Sequence, residues 1–294
     1  MTGNKRLTRA VLCIVASALF FAMMNMFVSL SGDVPVIQKT FFRNLFALMI
    51  ASVAMIKNKH KILPEKKYAP GLIMRSAFGY FGVCCNFFAL SSLPVADASL
   101  LNKMSPFFAV IFSIFILKEK ADKIQWLIIL TAFAGAMFVL KPGFANAQLL
   151  PSVAGFVGGA CAGLAYTFVR KLTKEGEKGY YIVFFFSAFS TLCALPFTII
   201  GYSPMTVVQL LCLMGAGVSA AIAQFCITTA YSYAPAKEVS IYDYSQIVFA
   251  GLLGYFVMGQ TPDLLSFIGY IIIIGAAFGM FRYNNRKTEN ARQK

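Results

Sequence analysis

Residues 94–122 read PVADASLLNKMSPFFAVIFSIFILKEKAD, and residues 235–263 read PAKEVSIYDYSQIVFAGLLGYFVMGQTPD. Laid over one another at a constant offset of 141, the two stretches need no gap. Pro94 falls on Pro235, Ser99 on Ser240, Phe108 on Phe249, Ala109 on Ala250, Phe115 on Phe256 and Asp122 on Asp263. Asp97 meets Glu238, and Asn102 meets Asp243. Such self-similarity predicts a duplicated fold. Each stretch also holds a run apolar enough for a membrane-spanning helix, which takes roughly 20 residues. Each interrupts that run with groups oil does not favour: Asn102 and Lys103 in the first, Tyr242, Asp243, Tyr244 and Gln246 in the second.

The rest of the chain fits a membrane solvent. It is 59% hydrophobic and 13% charged, against about 25% charged in an ordinary soluble domain, with a mean hydropathy of +0.73. Ten apolar segments follow, at 10–30, 35–56, 70–91, 95–117, 124–140, 152–170, 180–200, 206–230, 236–258 and 264–281. Polar or Pro/Gly breaks divide them. The predicted architecture is an all-α integral membrane protein of ten transmembrane helices, with one repeat over 1–145 and the other over 146–294. The first run is too long for a cleavable signal peptide.

The net charge of +15 is mainly a topology signal. Apart from Lys39 and Lys141 in the opposite loops, and Arg43 and Lys103 within spans, every Lys and Arg falls on the side of the N-terminus, including Arg75 near the start of segment three. The positive-inside rule then places both termini in the cytoplasm. Attraction to anionic inner-leaflet lipid is a side effect. Five spans per half is an odd number, so the halves run in opposite senses. The basic KEKADK after segment four and its uncharged-to-acidic counterpart GQTPDL after segment nine agree. Inverted repeats commonly build secondary transporters, with the substrate near the midplane.

The segments FFRNLFALM (41–49), RSAFGYFGVCCNFFALSSLPVADASLLNKMSPFFAVIFSIFILKEK (75–120) and AYSYAPAKEVSIYDYSQIVFAGLLGYFVMGQTPD (230–263) resemble the EamA family of the drug/metabolite transporter superfamily. The Arg opening segment three and the Tyr-x-Tyr of segment nine look most like bacterial S-adenosylmethionine transporters. Gln246 departs from that pattern, which carries an acidic residue after the second Tyr; here Asp243 comes earlier. The resemblance implies a central cavity lined by segments one, three, four, six, eight and nine, working by alternating access without ATP hydrolysis. It points to a small organic metabolite, an amino acid or amino-acid-like compound, carried with a proton or by exchange. S-adenosylmethionine uptake or exchange in the same fold stands as the alternative, as does a non-transporting accessory or lipid-handling protein.

Ionisable residues inside a membrane mark function by default. Arg43 and Lys103 lie about 13 and 12 Å below the outer face, and Asp243 about 10 Å above the inner one, at 1.5 Å per residue. Asp243 has two readings: it faces a cavity, carrying a proton or meeting a substrate ammonium, or it pairs with Lys103 or Arg43. Roughly 8 Å along the normal of a 30 Å core separates it from those cations. On an α-helix Asp243 shares a face with Ser240 and Gln246, with Tyr242 or Tyr244 at the edge. Lys103 and its neighbour Asn102 are cavity candidates; Lys103 reads either as the holder of a substrate carboxylate or as the partner of Asp243. Asn86, Gln224 and Tyr166 are further polar candidates, each also able to bond across helices. Arg43 reads as a structural bond from a segment not expected to line the cavity centre. Gly155, Gly159 and Gly163 form a GxxxGxxxG stripe for close helix packing or a moving gate contact. Pro94 and Pro235 open segments four and nine, where a missing N–H costs little.

No phosphate-binding loop, zinc motif or nucleophile–base set occurs, and the lone His60 sits in a basic loop. The chain is therefore not expected to be an enzyme, to hold a cofactor or metal, to bind nucleic acid or to need an ATPase subunit. Its partners are a small-molecule substrate and membrane lipid. The seven cysteines lie in apolar runs and read as packing residues.

Overall fold

A computed structural model of the protein describes residues 3–59, 62–92, 101–140, 149–259 and 263–293. These are all-helical: α1 (Gly3–Leu30), α2 (Val36–Lys57), α3 (Ala69–Ser92), α4 (Ser105–Leu117), α5 (Lys123–Leu140), α6 (Leu149–Glu175), α7 (Gly179–Ile200), α8 (Val207–Tyr233), the short α9 (Ala236–Val239), a 3-10 turn (Ser240–Tyr244), α10 (Ser245–Met258) and α11 (Leu264–Gln293). Helices α1, α2, α3, α6, α7, α8 and α11 are each long and apolar enough to cross a membrane, while the apolar α4 and α5 are shorter. Polarity is inverted relative to a soluble protein. Phe115, Phe256, Ile271 and Phe278 are 75%, 77%, 71% and 61% exposed, whereas Arg43, Arg75 and Asp243 are buried. An apolar surface of this extent belongs in lipid.

Segments four and nine are not the uninterrupted helices expected. Leu101 and Asn102 are helical, Lys103 and Met104 form a turn, and α4 restarts at Ser105 with Pro106 in its first turn, where proline's missing N–H is harmless. Segment nine runs α9, 3-10 turn, α10. Ser245 holds the tighter turn: its hydroxyl donates to the Tyr242 carbonyl at 2.6 Å, and its backbone N–H bonds the Tyr242 and Asp243 carbonyls. Side chains of this kind compete with the α-helical ladder. Aligned at the offset of 141, Lys103 corresponds to Tyr244, so the two irregularities fall on equivalent positions of the halves.

The packing obeys the same pseudo-symmetry. Helix α1 packs on α8, and its counterpart α6 packs on α3; α4 packs on α6, and α10 on α1. The self-related pairs are α2 with α7 and α5 with α11. Each half therefore buries its helices mainly against the other half. Equivalent residues do equivalent work: Asp122 accepts a hydrogen bond from the Gln125 amide at 2.9 Å at the start of α5, and Asp263 accepts from the Ser266 amide at 3.0 Å at the start of α11. Both are N-cap carboxylates. Phe115 and Phe256 both face lipid.

The glycine stripe of α6 lies against the interrupted segment four. A Cβ on Gly159 would stand 2.5 Å from the Leu101 carbonyl oxygen, and one on Gly163 2.7 Å from the Ala109 nitrogen. Gly155 abuts Leu101 and Ala89. This is the close-packing role of small residues in membrane helices. Pro235 is the N-cap residue of α9. Pro94 and His60 lie outside the described residues.

Candidate functional site

The breaks in segments four and nine meet at the wall of a cavity of about 110 Å³. Lys103 Nζ lies 2.9 Å from Asp243 Oδ2, 2.6 Å from Gln246 Oε1 and 3.3 Å from the Asp243 carbonyl oxygen. The 8 Å gap inferred for straight helices is thus closed. The turn at Lys103 and the 3-10 winding at Asp243 bring the two side chains to one level. The pair is deeply buried, with side chains 8% and 7% exposed. The Lys ammonium has three donors, and these acceptors occupy them.

Asn86, Asn102, Lys103, Tyr166, Gln224, Asp243 and Gln246 all line this cavity. Ser240, Tyr242 and Tyr244 do not. All three are buried, and the Ser240 hydroxyl and both phenols lack hydrogen-bond partners. The expected stripe through Ser240 fails because it assumed α-helical geometry across a segment that changes its winding. Gly155, Gly159 and Gly163 are likewise packing positions outside the lining.

Arg43 was expected away from the cavity, yet it lines it from α2, with Nε 3.0 Å from the Met24 sulfur. Arg75, grouped by sequence with the loop charges, is 1% exposed and also lines the cavity. Its Nη2 donates to Gln224 Oε1 at 2.8 Å, and its guanidinium carbon stands 3.7 Å from the Phe186 ring centroid. The lining thus extends to α2 through Arg43 and α7 through Phe186. The signal for Arg75 was position: it lies about 9 Å inside α3, more than one helical turn past the start.

At the end that carries the basic loops, charged groups of the two repeats meet. Glu119, just beyond α4, meets Arg170 Nε at 3.4 Å and Lys174 Nζ at 3.1 Å. Arg170 Nη1 also donates to the Tyr231 and Ser232 carbonyls, both at 3.0 Å. Above this clasp, the Tyr166 and Tyr231 rings stack with centroids 5.4 Å apart. Along α3 the lining runs from Arg75 to Phe87, away from that end. At the same end, Asp122 binds Lys287 at 2.7 Å and Tyr283 at 3.0 Å. Burial works against ionisation of Asp122, but Lys287, the Gln125 amide and Tyr283 outweigh it and hold the carboxyl below its ordinary range.

A model of the EamA-like transporter family matches residues 8–141 and again residues 150–282. The pseudopaline exporter CntI of Pseudomonas aeruginosa is 28% identical over 278 residues, 94% of this chain and 97% of the exporter. A riboflavin transporter of Vibrio cholerae is 31% identical over 68% of this chain and 67% of its own length. An S-adenosylmethionine uptake transporter of Rickettsia bellii is 23% identical over 84% of each. A solved crystal structure, 18% identical, superposes with a TM-score of 0.81 over 92% of this chain and 95% of that one, which shows a shared fold.

Proposed function

The chain belongs to the EamA-like transporter family, as a multi-pass membrane transporter of small metabolites and not an enzyme, and on that premise we propose that it moves an amino-acid-like compound by alternating access around the Lys103–Asp243 pair. The observation that carries the proposal is the pair itself: a buried ion pair, at the breaks of repeat-equivalent segments, on the wall of the cavity. A zwitterion offers both charges needed to replace it. Its carboxylate takes Lys103 and its ammonium takes Asp243, so neither buried charge is left alone while the halves separate. Asn86, Asn102, Tyr166, Gln224 and Gln246 supply neutral donors and acceptors around it.

With the basic end taken as cytoplasmic under the positive-inside rule, both termini are cytoplasmic, and the Glu119–Arg170 clasp is a cytoplasmic gate. The cavity described above is then sealed from the cytoplasm. Opening inward requires Arg170 to leave the Tyr231 and Ser232 carbonyls. The two repeats, 1–145 and 146–294, exchange roles between the two states. A proton-coupled cycle runs through Asp243, whose protonation, like a substrate ammonium there, releases it from Lys103; exchange of two metabolites needs no such step.

Counterflow in proteoliposomes against amino acids, amines, nucleosides and S-adenosylmethionine tests this reading. Accumulation of amino-acid-like compounds, abolished by Lys103→Gln, is the expected result. Full transport by Asp243→Asn with its pH-gradient dependence intact would refute the proton role. S-adenosylmethionine is the second reading, supported by the Rickettsia relative. Its cationic sulfonium fits poorly in a lining with three cations and one carboxylate among the described residues.

A further inference from the structure

Arg43 and Arg75 are charged groups in a low-dielectric wall without a counterion among the described residues. They are 3% and 1% exposed. Among the described residues, the one carboxylate lining the cavity is Asp243, and it is taken by Lys103. Arg43 Nη1, Arg75 Nε and Arg75 Nη1 are buried without a hydrogen-bond partner. Leaving such a group unpaired costs about 1–3 kcal/mol, and more when it is charged. The guanidinium stays protonated in proteins.

What does hold the two side chains is neutral. Arg43 touches the Met24 sulfur, a weak acceptor; Arg75 is set by the Gln224 amide and the face of Phe186. Gly79 is part of the same device. A Cβ there would lie 2.7 Å from Arg75 Nη1 and 2.9 Å from the Phe186 ring, so any larger residue would push the guanidinium or the ring from its place. These contacts fix orientation and leave the charge unspent. Guanidinium N–H groups match the two oxygens of a carboxylate in a fork geometry that no other side chain reproduces.

We propose that Arg43 and Arg75 form an oxyanion subsite for a carboxylate of the cargo additional to the one at Lys103, so that the transported compound is an amino-acid-like acid of net negative charge. The inference rests on the transport reading and narrows its substrate class. It excludes simple neutral amino acids and cationic ones as the preferred cargo.

The test uses the full chain in detergent, with unfolding followed by a thiol-reactive dye at its partly buried cysteines. Citrate, glutamate and inorganic phosphate are compared with chloride at equal ionic strength, and glutamate with glutamine. Citrate and glutamate are expected to raise Tm by several degrees, glutamine by clearly less, and chloride not at all. In Arg43→Gln and Arg75→Gln the apparent affinity for these carboxylates falls roughly 10–100-fold, the worth of charge-assisted hydrogen bonds. The ligand-free variants melt no lower than wild type, because an unpaired buried charge has gone; a merely structural arginine gives the opposite sign. Should either glutamine variant fail to fold, Arg75→Lys keeps the charge, loses the fork and still weakens binding. Carboxylate shifts that persist in both variants, or no shift by any carboxylate, overturn the subsite. A response to phosphate alone overturns the carboxylate assignment. Counterflow separates the two levels. Glutamine exchanging as well as glutamate sinks the subsite while transport stands, whereas carboxylate binding without counterflow of any compound sinks the transport reading and leaves the subsite.

Discussion

Removing one partner of the Lys103–Asp243 pair should cost far more than removing both. The side chains are 8% and 7% exposed, so solvent relieves little of the charge left behind. Breaking a buried pair typically costs about 3–5 kcal/mol, while replacing both partners by apolar groups is often neutral or stabilising. In Asp243→Asn the ammonium keeps Gln246 at 2.6 Å and an amide oxygen in place of the carboxylate, which puts this variant at the low end, about 3 kcal/mol. Lys103→Met leaves the Asp243 carboxylate with no cation and belongs nearer about 5 kcal/mol. At roughly 2–4 °C per kcal/mol for a chain of this order, the singles lose at least about 6 °C in Tm. The double variant Lys103→Met/Asp243→Leu is expected within a few degrees of wild type and inactive in counterflow. Thermal unfolding of wild type, Lys103→Met, Asp243→Leu and the double variant in one detergent closes the cycle and gives the coupling energy. Additive losses, with the double variant the least stable of the set, would refute the pairing and with it the exchange of partners proposed for transport.

Three further outcomes follow from the packing and the caps. Gly159→Ala places a methyl 2.5 Å from a backbone oxygen that no rotamer change can move, and should cost about 1–3 kcal/mol, whereas Gly275→Ala meets nothing within 4 Å and should be neutral or slightly stabilising; melting curves of the two decide. In a background without native cysteines, Gln246→Cys and Asn86→Cys should react with small polar thiol reagents, and Ser240→Cys and Tyr244→Cys should not; protection of all four would remove the aqueous cavity. The carboxyl of Asp122 is held below its ordinary range, so its tie to Lys287 is intact above the unfolded pKa near about 4 and is lost as pH falls through the lowered folded value. Wild type and Asp122→Asn should therefore differ in Tm at pH 6 and converge at the acid end, and a constant difference across that range would remove the carboxylate from the account.

The membrane class and the paired segments four and nine were legible because they depend on composition and on an offset that any alignment of the chain with itself reveals. The identity of Asp122 and Asp263 had a specific cause, the capping of α5 and α11. What the linear pattern concealed was winding. Ser240, Asp243 and Gln246 share a stripe only on a continuous α-helix, and the Ser245 hydroxyl that tightens the turn at Tyr242 is one ordinary serine among many. Arg75 was concealed for a different reason. Near a helix start, a cation that snorkels to the interface and one that turns inward look identical in sequence. Its inward course depends on Gly79, Phe186 and Gln224, which come from three separate segments.

The two kinds of cation in the cavity suit different parts of one cycle. Lys103 has a protein partner that a ligand or proton must displace, so its state reports on the joint between the repeats. Among the described residues Arg43 and Arg75 have no carboxylate partner to displace, so in the proposed subsite they meet an anion without a competing internal carboxylate. In the proposed cycle attraction and release are thereby separated: the arginines draw the cargo in, and exchange at Lys103 loosens the contact between segments four and nine. A carrier whose every charge was internally paired would bind its cargo weakly, because each new contact would first break an old one. One with no internal pair would hold its anion in either state with no means of coupling occupancy to the gate. Placing the single pair on the two broken helices, and the unpaired charges on the continuous α2 and α3, ties the coupling to the elements already freed from regular helical geometry.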